Sequence, residues 1–328
     1  MPVLVSEYTA PLYLRNGHIQ TCWPVLLRTV PPQAYTRQRI STADGDFLDI
    51  DIYRHNQPCA HKRVVIISHG LEGNSQRSYV RGMAKACLAL GFDVLAWNMR
   101  FCSGTINATA KLYHMGQTED VAAVAAWGIG CGYSELALIG FSMGGNQILR
   151  WLGTGQPLVP PEVKAACAIS VPCDLPAAAQ VLDKPANRLY MRYFMRSMLP
   201  KAQAKAKLFP QYAAVLGQKI HSFAAFDSLL TAPLYGYASA QDYWEHSASL
   251  PVLGNISLPV YMLAAADDPF CAPSCFPYAA ARANSQLSLE VCRHGGHVGF
   301  VVLGKNALYW SERQVQRFLA KQWTVALA

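Results

Sequence analysis

From residue 63 onward, short runs of consecutive apolar residues alternate with segments in which apolar residues recur at helical spacing. Val64 to Ile67 is such a run, and its length and β-branched composition are typical of a strand buried on both faces of a sheet. The predicted strands are Arg63–Ser68, Asp93–Trp97, Glu135–Ile139, Lys164–Ser170, Pro259–Ala265 and Leu287–Cys292. Strands that alternate with helices are joined by right-handed crossovers, so the pattern predicts an α/β fold with a mostly parallel sheet and helices on both faces.

Helical spacing predicts the elements between these strands. In Tyr79–Leu90 the apolar side chains share one face, and Gly91 follows as a stop signal. Glu119 and Asp120, directly after Thr118, suit the N-terminus of another helix. Further helices are predicted over Asn146–Leu152, near Pro273–Ala283 and near Asn306–Leu319.

The alternation is absent from two parts of the chain. Residues 1–32 contain five prolines and are predicted to form an irregular, packed N-terminal arm, followed by a hairpin of Tyr35–Ser41 and Phe47–Tyr53, whose second strand alternates like a half-exposed one. Residues 171–258 carry helical patterns and no convincing strand. We therefore predict an α/β core of residues 1–170 and 259–328 that carries a mostly helical cap of residues 171–258.

Composition agrees with one large core. Of the 328 residues 52% are hydrophobic and 15% charged, which excludes extended disorder. The net charge of +8 favours anionic partners, but there is no basic run, zinc-ligand spacing or helix-turn-helix pattern, so nucleic-acid binding is not predicted.

The ten cysteines are scattered, several of them in apolar segments, and show no disulfide framework. They include Cys22, Cys59, Cys87, Cys102, Cys131 and Cys167. The N-terminus lacks the pattern of a secretory signal, and no later run of about 18 apolar residues follows. These features predict a cytoplasmic protein with reduced thiols, for which surface association with a membrane stays open.

The segment Gly140-Phe141-Ser142-Met143-Gly144-Gly145 lies between a predicted strand and a predicted helix. A G-x-S-x-G sequence in that context is typical of a nucleophile elbow, which exposes the serine hydroxyl at the edge of the sheet. The following helix directs backbone N–H groups toward the charge that develops on an attacked carbonyl oxygen. Ser142 is therefore the candidate nucleophile.

A catalytic triad in such a fold follows the chain order serine, acid, histidine, with the acid and the histidine each after a later strand. Asp267 and Asp268 follow the strand that ends at Ala265, and His294 and His297 follow the strand that ends at Cys292. The aspartates could instead cap the helix near Pro273, and the histidines could be ordinary loop residues. We choose His297 because two glycines precede it; the choice between the aspartates stays open on spacing alone.

His69 and Gly70 end the first buried strand, where the second oxyanion donor of this fold belongs. The predicted oxyanion hole consists of the backbone N–H groups of Leu71 and Met143, with His69 in a structural role. No phosphate-binding glycine loop or dinucleotide fingerprint is present, and the chemistry needs neither a metal nor another cofactor.

With these motifs the chain resembles the YheT-like branch of the α/β-hydrolases, esterases related to the eukaryotic ABHD lipases. The shared segments are Gly17-His18-Ile19-Gln20-Thr21, His69-Gly70-Leu71-Glu72-Gly73, Gly140 to Asn146, Asp267-Asp268-Pro269-Phe270 and His294 to Phe300. The resemblance implies Ser142 as nucleophile, His297 as base and Asp268, rather than Asp267, as the acid that orients it. One departure is Phe101, which replaces the glycine of the family's Arg-Gly-Cys-Ser-Gly pattern and raises a question about the shape of that loop.

Three functions are compatible with these residues. The leading hypothesis is hydrolysis of carboxylic esters, of short to medium chain length or lipid-like, through an acyl-enzyme. The same site could pass the acyl group to another alcohol or amine, as in an acyltransferase. The fold could also serve a non-catalytic lipid-binding protein, because fold does not dictate function.

The predicted cap contains a segment, Lys184–Leu199, in which three arginines recur every fourth residue: Arg188, Arg192 and Arg196. Met191, Met195 and Met198 or Leu199 can share another face of the same helix. One interpretation is a solvated basic face over an ordinary apolar seam. The other is that the methionine side, with Tyr193 and Phe194, lines an acyl pocket while the arginines contact an anionic membrane.

Overall fold

A computed structural model of the protein describes residues 2–55, 62–304 and 307–326. Its nine-stranded sheet has the order β1-β9-β8-β7-β6-β4-β5-β3-β2. The strands are β1 (Val3–Leu4), β2 (Thr36–Ser41), β3 (Phe47–Tyr53), β4 (Arg63–Ser68), β5 (Asp93–Asn98), β6 (Glu135–Phe141), β7 (Val163–Ile169), β8 (Val260–Ala265) and β9 (Leu287–Cys292). The strands from β1 to β5 along this order pair in parallel, and only the β5–β3 and β3–β2 pairs are antiparallel. The prediction of a mostly parallel α/β sheet is confirmed.

Helices cover both faces of the sheet. The main ones are α1 (Gly17–Leu27), α2 (Ser78–Ala89), α3 (Glu119–Gly130), α4 (Met143–Thr154), α5 (Leu175–Leu182), α6 (Arg188–Ala206), α7 (Phe223–Phe226), α8 (Ala232–Tyr235), α9 (Ala240–Ser247), α10 (Tyr278–Ala283) and α11 (Trp310–Trp323). Val64 and Ile66 pack with α3 and α4 on one face, whereas Val65 and Ile67 pack with α2 and α11 on the other. Because successive side chains of a strand point to opposite faces, an apolar run of this kind fills both cores.

The hairpin of β2 and β3 is antiparallel as predicted, but the expectation that β3 is half-exposed is wrong. Asp49 and Asp51, two of the polar residues that alternate along β3, are buried. Arg39 and Arg37 of β2 pair with them at 2.8 and 2.6 Å. Polar and apolar residues do alternate along β3. The polar side chains contact arginines and not solvent, because β3 lies between β2 and β5 in the sheet.

The N-terminal arm is more regular than predicted. Val3–Leu4 adds a parallel edge strand beside β9, and Gly17–Leu27 forms the 11-residue helix α1 in spite of Pro24. The side chain of Asn16 accepts hydrogen bonds from the N–H groups of His18 and Ile19, which is the arrangement of an N-cap. That cap was the sequence signal missed beside the prolines.

Residues 170 to 259, all of them described, contain no strand. They hold helices α5 to α9, joined by 3₁₀ turns and by a π-helical turn at Asp227–Thr231. Buried side chains of this segment form a small core of their own around Met191, Met195 and Tyr212. The segment lies between β7 and β8 in the chain and reaches the site through α5 and α6, which contribute to the cavity described below.

Some predicted helix bounds change. The helix near Pro273–Ala283 is a 3₁₀ turn at Pro273–Cys275 followed by α10, and the C-terminal helix begins at Trp310 and ends at Trp323. Asn306, the predicted start of the latter, lies outside the described residues, as does Cys59. None of the described cysteines forms a disulfide. Among the described helices, none is long and apolar enough to cross a membrane.

Candidate active site

Ser142 lies at the sharp turn between β6 and α4. Its backbone has φ 51° and ψ −116°, a strained conformation for a residue with a side chain, and its N–H donates to the carbonyl oxygen of Ile169 in the neighbouring β7 at 2.8 Å. An outlier of this kind persists only where the surrounding structure holds it. The strand-turn-helix context expected for a nucleophile elbow is present.

The glycines of the elbow permit the close approach of strand, helix and neighbouring loop. A Cβ atom on Gly140 would lie 2.4 Å from the Cα of Gly145, and one on Gly144 would lie 2.5 Å from the carbonyl oxygen of His69. Neither approach is compatible with a side chain. Glycines at these two positions therefore permit the turn, because they have no Cβ atoms.

His297 is bound to Asp268 in the loops after β9 and β8. Its Nδ1 is 2.8 Å from Oδ2 and 3.1 Å from Oδ1 of Asp268, whose side chain is 1% exposed. Asp268 also accepts a hydrogen bond from the N–H of Phe270, and the Phe270 ring lies 4.3 Å from that of His297. An imidazole that donates from Nδ1 leaves Nε2 free to accept a proton.

The adjacent aspartate and the other histidine form a second, more exposed pair. Nδ1 of His294 is 3.3 Å from Oδ2 of Asp267, whose side chain is 21% exposed. Oδ1 of Asp267 accepts the N–H of Gly296. Asp267 thus shapes the histidine loop, whereas the carboxylate that contacts the ring of His297 belongs to Asp268.

The loop after β4 lies directly against the elbow. A Cβ atom on Gly70 would be 3.3 Å from the Cβ of Ser142, so the backbone that leads to Leu71 passes beside the serine. The N–H of Leu71 has no acceptor in the described part of the chain. Met143 is the first residue of α4, whose leading N–H groups lack acceptors within the helix.

His69 supports this loop and is buried beneath it. Its Nδ1 is 2.7 Å from the carbonyl oxygen of Gly70, and its Nε2 accepts the N–H of Met99 at 3.0 Å. These contacts require the neutral tautomer with a proton on Nδ1. Burial lowers the pKa of His69 to about 4, which agrees with a structural role.

Glu72 connects the same loop to α6, an arrangement that no local sequence pattern indicates. Its buried carboxylate accepts hydrogen bonds from Tyr113, Ser197 and, at 2.9 Å, the ammonium group of Lys201. Burial alone would lower the pKa of Lys201, but Cys102 and Glu72 raise it above its ordinary value, so the lysine is charged. The φ of Glu72 is 54°, and the residue directly follows Leu71.

The N-terminal helix α1 supports the histidine loop and was also missed by sequence reasoning. Thr21 Oγ1 accepts the N–H of His297 at 2.9 Å and donates to the carbonyl oxygen of Gly17 at 2.6 Å. Gln20 Oε1 accepts the N–H of Val301. A Cβ atom on Gly17 would lie 1.8 Å from the carbonyl oxygen of Asp267, so only glycine allows α1 to pack this closely.

Ser142 and His297 line one cavity of about 120 Å³ that extends beneath the helices of residues 171–258. Its wall is mostly apolar and includes Leu175, Leu182, Phe194, Met198, Phe226 and Leu230. The hypothesis that Met191 and Met195 line an acyl pocket is wrong, because both are buried in the core of that segment, and Tyr193 faces solvent. Arg188, Arg192 and Arg196 are exposed, as expected.

The loop with the unusual phenylalanine keeps a left-handed backbone at that position. Phe101 has φ 61°, a conformation that glycine adopts without strain. The neighbouring Arg100 is buried and bound to Asp44, Asp46 and Asp120, which holds the loop in place. The loop therefore retains, at a cost in backbone strain, a conformation for which glycine is better suited.

Donor atoms of Asp268, Cys271 and His297 lie within 4.8 Å of one another and could hold a thiophilic metal ion. An ion that took Nδ1 of His297 as a ligand would replace the proton through which this atom contacts Asp268. A metal at this position is thus incompatible with an imidazole oriented by that carboxylate.

Comparison with known proteins places this geometry in a family. Residues 63–302 match the family model of the alpha/beta hydrolase fold. The chain is 31% identical to YheT of Escherichia coli K12, a candidate esterase, over 96% of this chain and 93% of that protein. It is 28% identical to the human phospholipase ABHD3, over 92% of this chain and 75% of that protein.

The chain is also 28% identical to a monoacylglycerol lipase of the yeast Saccharomyces cerevisiae, over 79% of this chain and 59% of that protein. Among solved structures, the Pyrococcus furiosus esterase Pf2001 superimposes with a TM-score of 0.56 at 18% identity, covering 89% of this chain and 99% of that one. At that identity the structural match supports the fold alone.

Proposed function

The chain belongs to the α/β-hydrolase family, and we propose that it is a serine hydrolase that cleaves carboxylic esters through an acyl-enzyme intermediate. Its relatives include an esterase candidate, a phospholipase and a monoacylglycerol lipase, all of which are named for ester substrates. All three names describe hydrolases of ester bonds.

One observation carries the proposal. The strained Ser142 and His297 line the same cavity, and Nδ1 of that histidine is bound by the buried carboxylate of Asp268. A serine hydroxyl is a poor nucleophile until a base accepts its proton, and the bond to Asp268 leaves Nε2 of His297 as that base.

In the proposed mechanism, Ser142 Oγ attacks the ester carbonyl carbon while His297 Nε2 accepts the hydroxyl proton. Asp268 keeps the imidazole in the Nδ1–H tautomer and stabilises the imidazolium that forms. The proton then passes to the leaving alcohol, and the acyl group stays on Ser142. Water, deprotonated by His297, attacks the acyl carbon; the bond from that carbon to Ser142 Oγ then breaks, Oγ takes the proton back from His297, and the carboxylic acid is released.

The backbone N–H groups of Leu71 and Met143 are proposed to bind the oxyanion of both tetrahedral intermediates. Gly70 lies against Ser142, and α4 begins at Met143, so both donors are next to the nucleophile. Removing one such donor costs about 3 kcal/mol in comparable sites, a factor of 10² to 10³ in kcat.

The apolar wall of the cavity favours an ester with a short to medium acyl chain or a lipid-like ester. We propose that residues 171–258 act as a cap over this cavity and residues 1–170 and 259–328 as the catalytic core. We also propose that lipid-like substrates are met at an anionic membrane surface, to which the exposed arginines of α6 are complementary.

The experiment is the Ser142→Ala variant, assayed with p-nitrophenyl esters from acetate to decanoate and with a fluorophosphonate probe. Hydrolysis and covalent labelling should both disappear, while thermal unfolding stays like that of the wild-type protein. We expect medium chains to be hydrolysed faster than acetate by the wild-type protein.

Labelling of Ser142→Ala equal to that of the wild type would remove Ser142 from the proposal. A wild-type protein that neither hydrolyses esters nor reacts with the probe would instead support a lipid-binding protein. Formation of a new ester in the presence of added alcohol, at the expense of free acid, would identify an acyltransferase with the same site.

A further inference from the structure

The N-terminal helix α1 directs two polar side chains inward and several apolar side chains outward. Gln20 and Thr21 are buried against the histidine loop, whereas Val25 is 66% exposed and Leu26 76% exposed. A surface helix of a globular protein normally buries its apolar stripe. This inversion leaves an apolar surface without a partner in the described part of the chain.

The outward apolar residues follow helical spacing. Ile19 and Leu26 lie at positions i and i+7 and are exposed. Trp23, at i+4, is partly buried against Leu14 and Val301, and its ring lies 6.1 Å from that of the exposed Tyr13. Further exposed apolar side chains in this region are Leu12, Val25 and Leu27. Isolated exposed apolar residues are common, but a continuous set of this kind marks an interaction site.

Helix α6 extends this surface on its other side. The ring of His18 in α1 stacks on that of Tyr190 in α6, with centroids 5.7 Å apart, and their side chains share a hydrogen bond of 3.2 Å. Next to this contact, Leu189 is 77% exposed. We name the combined exposed face of residues 12–27 and of α6 the α1/α6 surface.

The charge on the α1/α6 surface has one sign. Residues 15–28 and 188–206 contain no aspartate or glutamate. Arg188, Arg192 and Arg196 are exposed, and none of them has an ion-pair partner among the residues that the structure describes. Exposed apolar side chains on α1 and unpaired arginines on α6 are together complementary to an anionic bilayer, which offers both negative head groups and hydrocarbon.

The α1/α6 surface also lies close to the catalytic histidine. Tyr190 packs edge-on against Phe270 at 4.8 Å, and Phe270 contacts the ring of His297 at 4.3 Å. The seam between α1 and α6 is therefore two ring contacts from the site. A bilayer on this face would be held next to the side of the molecule that carries His297.

We propose that the α1/α6 surface docks the protein on an anionic lipid bilayer, with the apolar face of α1 inserted among the lipids and the arginines of α6 against the head groups. The proposal rests on the membrane contact put forward under the proposed function and names the surface that makes it; it does not depend on ester hydrolysis, since docking requires no turnover. Vesicle binding by a Ser142→Ala protein therefore tests docking separately from the proposed function.

The test is co-sedimentation of Ser142→Ala protein with vesicles of equal parts phosphatidylglycerol and phosphatidylcholine, compared with pure phosphatidylcholine. We expect binding to the anionic vesicles at low ionic strength that weakens as salt is added. Leu26→Asp should reduce the affinity by about tenfold or more, because it places a charge where the apolar face meets the lipids. Leu158→Asp is the matched control, since Leu158 is 84% exposed on a loop away from this surface.

The contribution of the arginines is tested by changing Arg188, Arg192 and Arg196 together to glutamine. This change should weaken binding to the anionic vesicles on the order of 100-fold at low salt. The matched control changes Arg313, Arg317 and Lys321 of α11 to glutamine, a set with the same spacing and the same loss of charge. Thermal unfolding and the oligomeric state are measured for every variant.

Three results would overturn the proposal. One is a protein that does not bind anionic vesicles at low salt. Another is equal binding of each variant and its matched control. The third is a dimer in solution that Leu26→Asp converts to a monomer, which would assign the surface to a second copy of the chain.

Discussion

Asp267 and Asp268 adjoin in one loop, yet their carboxylates differ in partners and exposure. Asp268 binds the ring of His297 and is almost fully buried, whereas Asp267 pairs with the partly exposed His294. We expect Asp268→Asn to lower kcat by up to about 10⁴-fold, because the amide no longer holds the imidazole in the required tautomer. Asp267→Asn should cost less than about tenfold, since its oxygen can still accept the N–H of Gly296.

Kinetics on a soluble p-nitrophenyl ester separate the two variants. KM should change little for Asp268→Asn, because the orienting carboxylate acts on the chemical step. A larger loss for Asp267→Asn than for Asp268→Asn would assign the orienting role to the other carboxylate and pair it with His294.

Among individual residues, the sequence alone could indicate only those whose setting depends on neighbours close in the chain. The position of Ser142 at a sharp turn between a strand and a helix was predictable, because glycines at fixed offsets and a strand-turn-helix context are visible in the chain. The contacts of Glu72 with Lys201 and of Thr21 with His297 were not predictable, since each joins segments more than 100 residues apart in the chain. At Phe101 the backbone is left-handed although the residue is not glycine, so the sequence does not indicate this turn.

Helix α6 and the loop after β4 are coupled through one buried carboxylate. Glu72 receives hydrogen bonds from Ser197 and Lys201 of α6 and directly follows Leu71, a proposed oxyanion donor. Glu72→Gln replaces an anion that only accepts by an amide that also donates, next to a charged lysine. We expect the loop to shift and kcat to fall by about 10- to 100-fold, with KM nearly unchanged.

The distinguishing measurement is affinity for a trifluoromethyl ketone, whose adduct with a serine carries an oxyanion. Its inhibition constant should rise in parallel with the loss of kcat/KM, which general destabilisation would not produce. Glu135→Gln is the control, because Glu135 also accepts from a cation, Arg63, and from the ring N–H of Trp323, but lies at the opposite end of β6 from the elbow. Unchanged affinity in Glu72→Gln would show that the carboxylate does not position Leu71.

At the scale of elements, periodicity worked where burial on both faces leaves an uninterrupted apolar run, as in β4 and β6. It failed for α1, where prolines dominated the pattern and the face toward the core is polar. It also failed for the exposure of β3, because Asp49 and Asp51 are polar yet buried against arginines of the next strand. Both errors come from polar side chains that are satisfied by partners distant in sequence.

For the molecule as a whole, the mostly parallel sheet and the expectation that the candidate residues meet at one sheet edge follow from alternation and right-handed crossovers. The sequence could also place the helical insertion between the elbow and the acid. It could not indicate which side chains of that insertion would face the cavity, because Phe194 and Met198 do so while Met191 and Met195, one turn away, fill a separate core. Which side chains of α6 face the cavity depends on how this helix packs against the other helices of the insertion.

The stability of the molecule should decline in mild acid because two histidines are buried in neutral form. Burial lowers the pKa of His69 to about 4 and that of His114 to about 3, so the unfolded chain binds protons below pH 6.5 that the folded chain excludes. Stability is then fully present above the unfolded pKa and is lost as the pH falls from about 6.5 toward 4, on the order of 3 kcal/mol for each histidine. Asp227, whose pKa is raised to about 6 by burial, acts in the opposite direction and offsets only part of this loss.

His114 offers a substitution that isolates the effect. Its Nδ1 accepts the N–H of Gly116 at 3.2 Å, a bond that the side-chain oxygen of asparagine can also accept. Wild-type protein should lose thermal stability between pH 7 and pH 4.5, and His114→Asn should lose less, by several degrees in melting temperature. His221→Asn, a change at an exposed histidine, is the control and should follow the wild-type curve. If His114→Asn and wild type lose stability equally over this range, His114 is not the source of the acid sensitivity.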